Sequence, residues 1–126
     1  KEAKGIAKQL PVGGAFHTPF MADAAKGLAD ALAGMEMKKP GMPVYANKTA
    51  KPYAEPLKET LATQMVSPVR WTDTILRMQA DGFDTFIEVG PGKALSGLVR
   101  RIWPEARVLN VEDADSLAAT VQALGK

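Results

Sequence analysis

Cysteine is absent from this chain, and histidine occurs only once, at position 17. Without thiols the sequence excludes disulfides, thiolate zinc sites and a cysteine nucleophile, and one imidazole cannot build a histidine-rich metal site. No run approaches the roughly 18 apolar residues of a membrane-spanning helix, and residues 1–4 do not begin a signal-peptide core. We therefore expect a cytoplasmic protein in which neither a metal nor a cofactor takes part.

Strong charge of one sign is also lacking. The formal net charge is +2 over 126 residues, and the lysines of the first half fit a solvated face better than an acidic partner. Aromatic residues make up 6% of the chain and are not interleaved with basic residues, as stacking on nucleic-acid bases requires. Neither nucleic acid nor a membrane is an expected partner. Residues 1–8 resemble the last turns of a helix that begins elsewhere, which indicates a fragment.

Apolar periodicity predicts alternating helices and strands joined by short connections. The predicted helices cover residues 21–34, 55–65, 72–82, 93–103 and 113–124, with Leu76, Leu117, Val121 and Leu124 among their buried positions. Glu55 or Pro56 opens the second of these helices, Thr72 is the predicted N-cap of the third, and Asp113 or Asp115 caps the last. The predicted strands cover 42–47, 85–89 and 107–111, and the second is apolar enough to be covered on both faces. The fold class is therefore α/β with a parallel sheet.

His17 is the one ready acid/base group of the chain, because only an unperturbed imidazole changes charge between about pH 5 and 8. Gly13, Gly14 and Pro19 place it in a constrained loop just before a helix, where functional side chains often lie. The local pattern alone favours a histidine that only hydrogen-bonds a nearby carbonyl.

Two other motifs each have a structural and a functional interpretation. Gly90-Pro91-Gly92-Lys93 joins a strand to a helix and is either a tight turn, which the pattern favours, or a phosphate cradle. Glu88 either accepts backbone hydrogen bonds, which we favour, or orients the histidine. The serines Ser67, Ser96 and Ser116 all lack the Gly-x-Ser-x-Gly pattern of an exposed nucleophile.

Four segments in register resemble one family. They are Leu10-Pro11-Val12 with Ala15-Phe16-His17-Thr18-Pro19-Phe20-Met21, Val44-Tyr45-Ala46-Asn47, Gln64-Met65-Val66-Ser67-Pro68-Val69-Arg70-Trp71, and Phe86-Ile87-Glu88-Val89-Gly90-Pro91-Gly92-Lys93. Together they resemble the carboxyl-terminal part of the malonyl-CoA:acyl carrier protein transacylases. The resemblance implies a hydrolase-like acyltransferase core over residues 11–126, and the stub of a ferredoxin-like small subdomain over residues 1–10.

The resemblance also implies a ping-pong acyl transfer from coenzyme A to the phosphopantetheine thiol of acyl carrier protein. His17 matches the catalytic histidine, and the main-chain carbonyl of Gln64 matches the group that orients it. Phe16 and Ala94 match walls of the acyl pocket. The family's serine, its malonyl-binding arginine and its oxyanion-hole donors lie in an amino-terminal part that this sequence lacks.

The isolated chain is therefore expected to be inactive, with a sheet edge and apolar faces that are exposed or covered by another copy. Two alternatives to a free-standing transacylase stay open at this stage. The chain is either an acyltransferase domain excised from a polyketide synthase, or a non-catalytic binding or scaffold module in which His17 is structural.

Overall fold

The computed structural model describes residues 5, 7, 9, 12–54 and 56–125. Five α-helices and four short strands follow one another in this part of the chain: α1 (Ala22–Ala33), β1 (Tyr45–Ala46), β2 (Lys51–Pro52), α2 (Leu57–Thr63), α3 (Trp71–Ala80), β3 (Thr85–Val89), α4 (Ala94–Ile102), β4 (Arg107–Val111) and α5 (Ala114–Ala123). Most of the predicted subdomain stub at residues 1–10 lies outside the described residues, as do Pro11 and the helix start proposed at Glu55.

β3 and β4 form a parallel pair with Thr85 opposite Arg107 and Val89 opposite Val111. Both strands have the predicted bounds, and α4 connects them, so the α/β class with a parallel sheet is confirmed. The first predicted strand, at 42–47, is not part of this sheet. Only Tyr45–Ala46 is extended there, and it pairs antiparallel with β2, a strand that the sequence did not predict. Pro43 and the turn at 47–50 leave too little chain for a longer ladder.

The apolar core lies between α3, α4 and the parallel strands. Ile75, Val99 and Val108 are buried against one another, and Trp71 and Phe86 pack around them. Because side chains alternate across a strand, Phe86 faces this core while Ile87 and Val89 point away from it. Val89 is 79% exposed, so the expectation of a strand covered on both faces is wrong for the part of the chain that the structure describes.

Several predicted core positions are exposed. Leu76 is 46% exposed, and the helix α5 positions Leu117, Val121 and Leu124 are open to solvent as well. In α5 the buried residue is Thr120, whose hydroxyl donates to the Asn110 carbonyl at 3.1 Å. The apolar pattern identified these helices correctly, but it marks faces that nothing in the described chain covers.

Helix ends follow local chemistry. Asp113 accepts from the Ser116 N–H at 2.8 Å, and the Ser116 hydroxyl accepts the Asp113 N–H in return, so of the two predicted caps of α5 the structure selects Asp113 over Asp115. The N-cap predicted at Thr72 is wrong, because α3 begins at Trp71 and its N-cap is Arg70, two positions earlier. No helix among the described residues is long and apolar enough to cross a membrane.

Candidate active site around His17

The loop that carries His17 is held by its own polar contacts. The Thr18 hydroxyl donates to the Ala15 carbonyl at 2.7 Å and accepts the Phe20 N–H at 3.3 Å. A one-turn 3₁₀ helix over Pro19–Met21 follows directly. His17 itself has a φ of 60°, a left-handed conformation that costs free energy for a residue with a Cβ and that recurs at functional sites. The constrained loop predicted from the glycines and Pro19 is present.

The imidazole of His17 contacts one main-chain carbonyl. Its Nδ1 lies 3.1 Å from the Gln64 oxygen, the partner that the resemblance implied. A carbonyl oxygen can only accept, so this hydrogen bond requires the proton on Nδ1. In the neutral ring Nε2 then keeps its lone pair and is free to accept a proton. His17 is exposed in this chain, and its Nε2 has no partner among the described residues.

Both the main chain and the side chain of Gln64 form hydrogen bonds. It follows the last residue of α2 and opens a 3₁₀ turn over Gln64–Val66, and its carbonyl also accepts the Ser67 N–H at 3.2 Å. Its side-chain Oε1 accepts the Tyr53 hydroxyl at 2.8 Å. This contact was not predicted from the sequence, because Tyr53 lies in a connection without periodicity.

The two predicted pocket residues lie in different places. Phe16 precedes His17 and is 60% exposed, with its ring against Gly14. Ala94 is the first residue of α4, at the exposed end of the strand-to-helix turn. The contacts that hold the histidine involve Gln64 and do not include Ala94.

Glu88 does not orient the histidine. Its carboxylate accepts the N–H groups of Leu95 at 3.0 Å and Ser96 at 2.7 Å, the first free donors of α4. A carboxylate at a helix N-terminus is stabilised by those donors and by the helix dipole. The predicted role as an acceptor of backbone hydrogen bonds is confirmed, and the alternative role beside His17 is wrong.

The surroundings of Glu88 lower its pKa below the ordinary value of 4.5. The Ser96 side chain has the largest effect, followed by the N–H groups of Ser96 and Leu95. The Ser96 hydroxyl makes no hydrogen bond within the described part of the chain, so the donors that contact the carboxylate directly are the N–H groups of Leu95 and Ser96. Glu88 therefore stays ionised at neutral pH.

The Gly90-Pro91-Gly92 segment is a tight turn. Gly90 and Gly92 have φ values of 139° and 84°, which residues with a Cβ rarely adopt. The Gly90 N–H donates to the Val111 carbonyl, and the Gly92 N–H donates to the Glu112 carboxylate, both at 2.9 Å. Since the chain's own acceptors use these donors, the structure supports the turn and not the phosphate cradle.

None of the three serines is paired with His17. Ser67 donates to the Thr63 carbonyl at 2.7 Å, Ser96 is 2% exposed inside α4, and Ser116 belongs to the capping box of α5. Each hydroxyl therefore has a structural setting away from the imidazole. Among the described residues there is also no cluster of three or more potential metal ligands.

The chain is similar to known transacylases over most of its length. It is 38% identical to the malonyl CoA-acyl carrier protein transacylase of Bacillus subtilis over 91% of this chain and 37% of that protein. Its fold matches the crystal structure of the transacylase of the same name from Clostridium perfringens with a TM-score of 0.93 and 40% identity, over 98% of this chain and 40% of that one. The resemblance found in the sequence is confirmed.

A third relative was solved with a partner. This malonyl-transacylase, in complex with a type II polyketide synthase acyl carrier protein, matches with a TM-score of 0.84 and 34% identity, over 90% of this chain and 38% of that one. No protein-family model matches the chain. The chain thus spans about two fifths of the length of the relatives that it matches.

Proposed function

We propose, from the premise that this chain is homologous to the malonyl-CoA:acyl carrier protein transacylases, that it supplies the general base of a malonyl transferase. The observation that carries the proposal is the contact between His17 Nδ1 and the Gln64 carbonyl at 3.1 Å. It leaves Nε2 as the proton acceptor on an exposed loop, which is the arrangement that activates a hydroxyl nucleophile.

The reaction that we propose needs a serine from the part of the enzyme that the chain does not span. As the serine oxygen attacks the malonyl thioester, His17 Nε2 takes its proton. When the tetrahedral intermediate collapses, the C–S bond breaks and Nε2 returns the proton to the coenzyme A thiolate. In the second half the phosphopantetheine thiol gives its proton to Nε2 and attacks the acyl-serine, and the released serine oxygen regains the proton.

The Gln64 carbonyl takes the place of a carboxylate in this scheme. While Nε2 holds a proton the ring is an imidazolium, and a hydrogen bond from Nδ1–H to a carbonyl both orients the ring and stabilises its charge. We also propose Phe16, beside the histidine, and Ala94, at the start of α4, as walls of the malonyl pocket. Acyl carrier protein is the proposed acceptor, in line with the neighbour solved with its carrier protein.

The proposal is tested with a chimera in which this chain replaces the matching two fifths of the Clostridium perfringens transacylase. We expect the chimera to transfer malonyl from coenzyme A to carrier protein. His17→Gln in the chimera should lower kcat by about 10²–10⁴, the usual contribution of a general base. The matched control is Gln79→Ala, an exposed residue of α3, which should leave kcat unchanged.

Two outcomes contradict the proposal. One is full activity of the His17→Gln chimera, which would make His17 structural. The other is malonyl transfer by the isolated chain, in which we expect none because none of its three serines is paired with His17. Assays with carrier proteins of fatty acid and of polyketide synthesis separate the two transacylase alternatives by their kcat/KM values.

A further inference from the structure

A second side chain reaches the contact between His17 and Gln64 from the opposite side. Tyr53 donates its hydroxyl to Gln64 Oε1 at 2.8 Å, and the Gln64 carbonyl lies 3.1 Å from His17 Nδ1. One residue therefore links a tyrosine to the imidazole, with its side chain on one hydrogen bond and its main chain on the other. Tyr53 and Gln64 are both half-buried, which shields the first of these bonds from water.

Gln64 lies where the backbone needs such support. The last carbonyls of a helix have no partner within the helix, and a 3₁₀ turn has weaker hydrogen bonds than an α-helix. Gln64 is the first residue after α2 and starts a 3₁₀ turn of only three residues. Its own N–H donates to the Thr60 carbonyl, and the remaining contacts are those of its carbonyl with the Ser67 N–H and His17 and that of its side chain with Tyr53. A small rotation of this turn would move the carbonyl away from Nδ1.

Tyr53 is suited to hold that turn in place. Its own N–H donates to the Val44 carbonyl at 2.8 Å, which fastens it to the chain beside the β1–β2 pair. Burial raises the pKa of its hydroxyl above the ordinary value of 10.0, so the phenol remains a donor at physiological pH. A donor at this place also determines which end of the Gln64 amide faces it, since only Oε1 can accept.

We propose that Tyr53 is a positioning residue that fixes the Nδ1–H tautomer of His17 through Gln64. The catalytic value of this arrangement rests on the proposed function of His17 as a general base, because only the Nδ1–H tautomer leaves Nε2 able to take a proton. The positioning itself is a property of this chain and can be measured without any enzyme activity.

The chain offers an unusually clean readout, because His17 is its only histidine. Nitrogen-15 chemical shifts of the labelled imidazole, recorded at a pH where the ring is neutral, give the ratio of the Nδ1–H to the Nε2–H tautomer. We expect Nδ1–H to dominate in the unchanged chain. Tyr53→Phe should lower the ratio about two- to fivefold, the range that corresponds to part of one ordinary hydrogen bond.

The matched control is Tyr45→Phe. Tyr45 is the other tyrosine of the chain, and its hydroxyl also donates to a side chain, the Asp81 carboxylate at 2.5 Å. It is not linked to Gln64, so its loss should leave the tautomer ratio unchanged. Gln64→Met removes the same hydrogen bond from the other side and keeps the main-chain carbonyl. It should reproduce the effect of Tyr53→Phe, and the double variant should add nothing to it.

Three results overturn the proposal. They are a dominant Nε2–H tautomer in the unchanged chain, an unchanged ratio in both Tyr53→Phe and Gln64→Met, and an equal shift in Tyr45→Phe, which would indicate general loosening. Amide spectra of each variant confirm that the chain is folded. Since the test does not involve malonyl transfer, full activity of the His17→Gln chimera would contradict the proposed function and leave the positioning result intact.

Discussion

Two regions of this molecule are built in different ways. The sheet region, residues 71–125, has a continuous apolar core centred on Ile75, Val99 and Val108. The histidine region, which we define as 12–54 and 56–70, buries small residues above all: Ala46, Ala50 and Ala62, with Leu32 and Leu57. Its distant segments are joined by polar contacts, such as the Arg70 N–H to the Asn47 carbonyl at 2.9 Å.

The difference shows where rigidity comes from in each region. Apolar packing stabilises the sheet region in proportion to the area removed from water. The histidine region gains less from burial, and single hydrogen bonds of about 1 kcal/mol each determine where its loops lie. The geometry of the proposed catalytic site therefore depends on the region with fewer large buried side chains, and the following changes test that contrast.

The largest effect is expected in the core of the sheet region. Ile75 is 1% exposed, and Ile75→Ala should lower the free energy of unfolding by about 2–5 kcal/mol because it leaves a cavity. Ile75→Val should cost about 0.5–1.5 kcal/mol, which keeps the test measurable if the first variant does not fold. Denaturant titration measures both. Leu76→Ala on the same helix is the control, and an equal loss there would contradict the assigned core.

Glu88→Gln tests the charge at the start of α4. The pKa of Glu88 is lowered in the folded chain by Ser96 and Leu95, so its stabilising effect is complete above the unfolded value of 4.5 and is lost as the pH falls through the folded value. The variant should be less stable than the unchanged chain at pH 7, and the gap should close as the pH drops below about 4.5.

Thermal unfolding at several pH values measures this gap. Glu105→Gln, which removes the same charge from an exposed position between α4 and β4, should show no comparable pH dependence. The His17 tautomer ratio should not change in Glu88→Gln, because the carboxylate binds α4 and not the imidazole. A changed ratio would restore the interpretation of Glu88 as the group that orients the histidine.

Alanine substitutions at Gly97 and Gly82 should change the free energy of unfolding least, and in opposite directions. Gly82 ends α3 with a φ of 93°, and Gly97 lies inside α4, with open space at the Cβ position of both. Gly97→Ala should stabilise the chain by roughly 0.5–1 kcal/mol through helix propensity. Gly82→Ala should destabilise it by about 1–2 kcal/mol through backbone strain. Melting temperatures provide the measurement, and the same sign in both variants would contradict the assigned backbone.

Local patterns predicted the sheet region better than the histidine region. The bounds of β3 and β4 and the cap at Asp113 follow from apolar runs and from residue chemistry within a few positions. The strand β2 was missed because Lys51 and Pro52 carry no strand pattern and extend only by pairing with Tyr45 and Ala46. The exposed faces of Ile87 and Leu76 were misassigned because a pattern marks an apolar face without showing what covers it.

In the candidate site, too, some features follow from local sequence and others only from tertiary packing. The sequence alone determined that the chain has one imidazole, that glycines and a proline confine its loop, and that no thiol or serine motif accompanies it. Tertiary structure decided which groups meet: Gln64 is 47 positions from His17, and Tyr53 is 11 positions from Gln64. Periodicity and capping act over one or two turns of backbone, whereas the partner of a hydrogen bond across such distances depends on how whole elements pack.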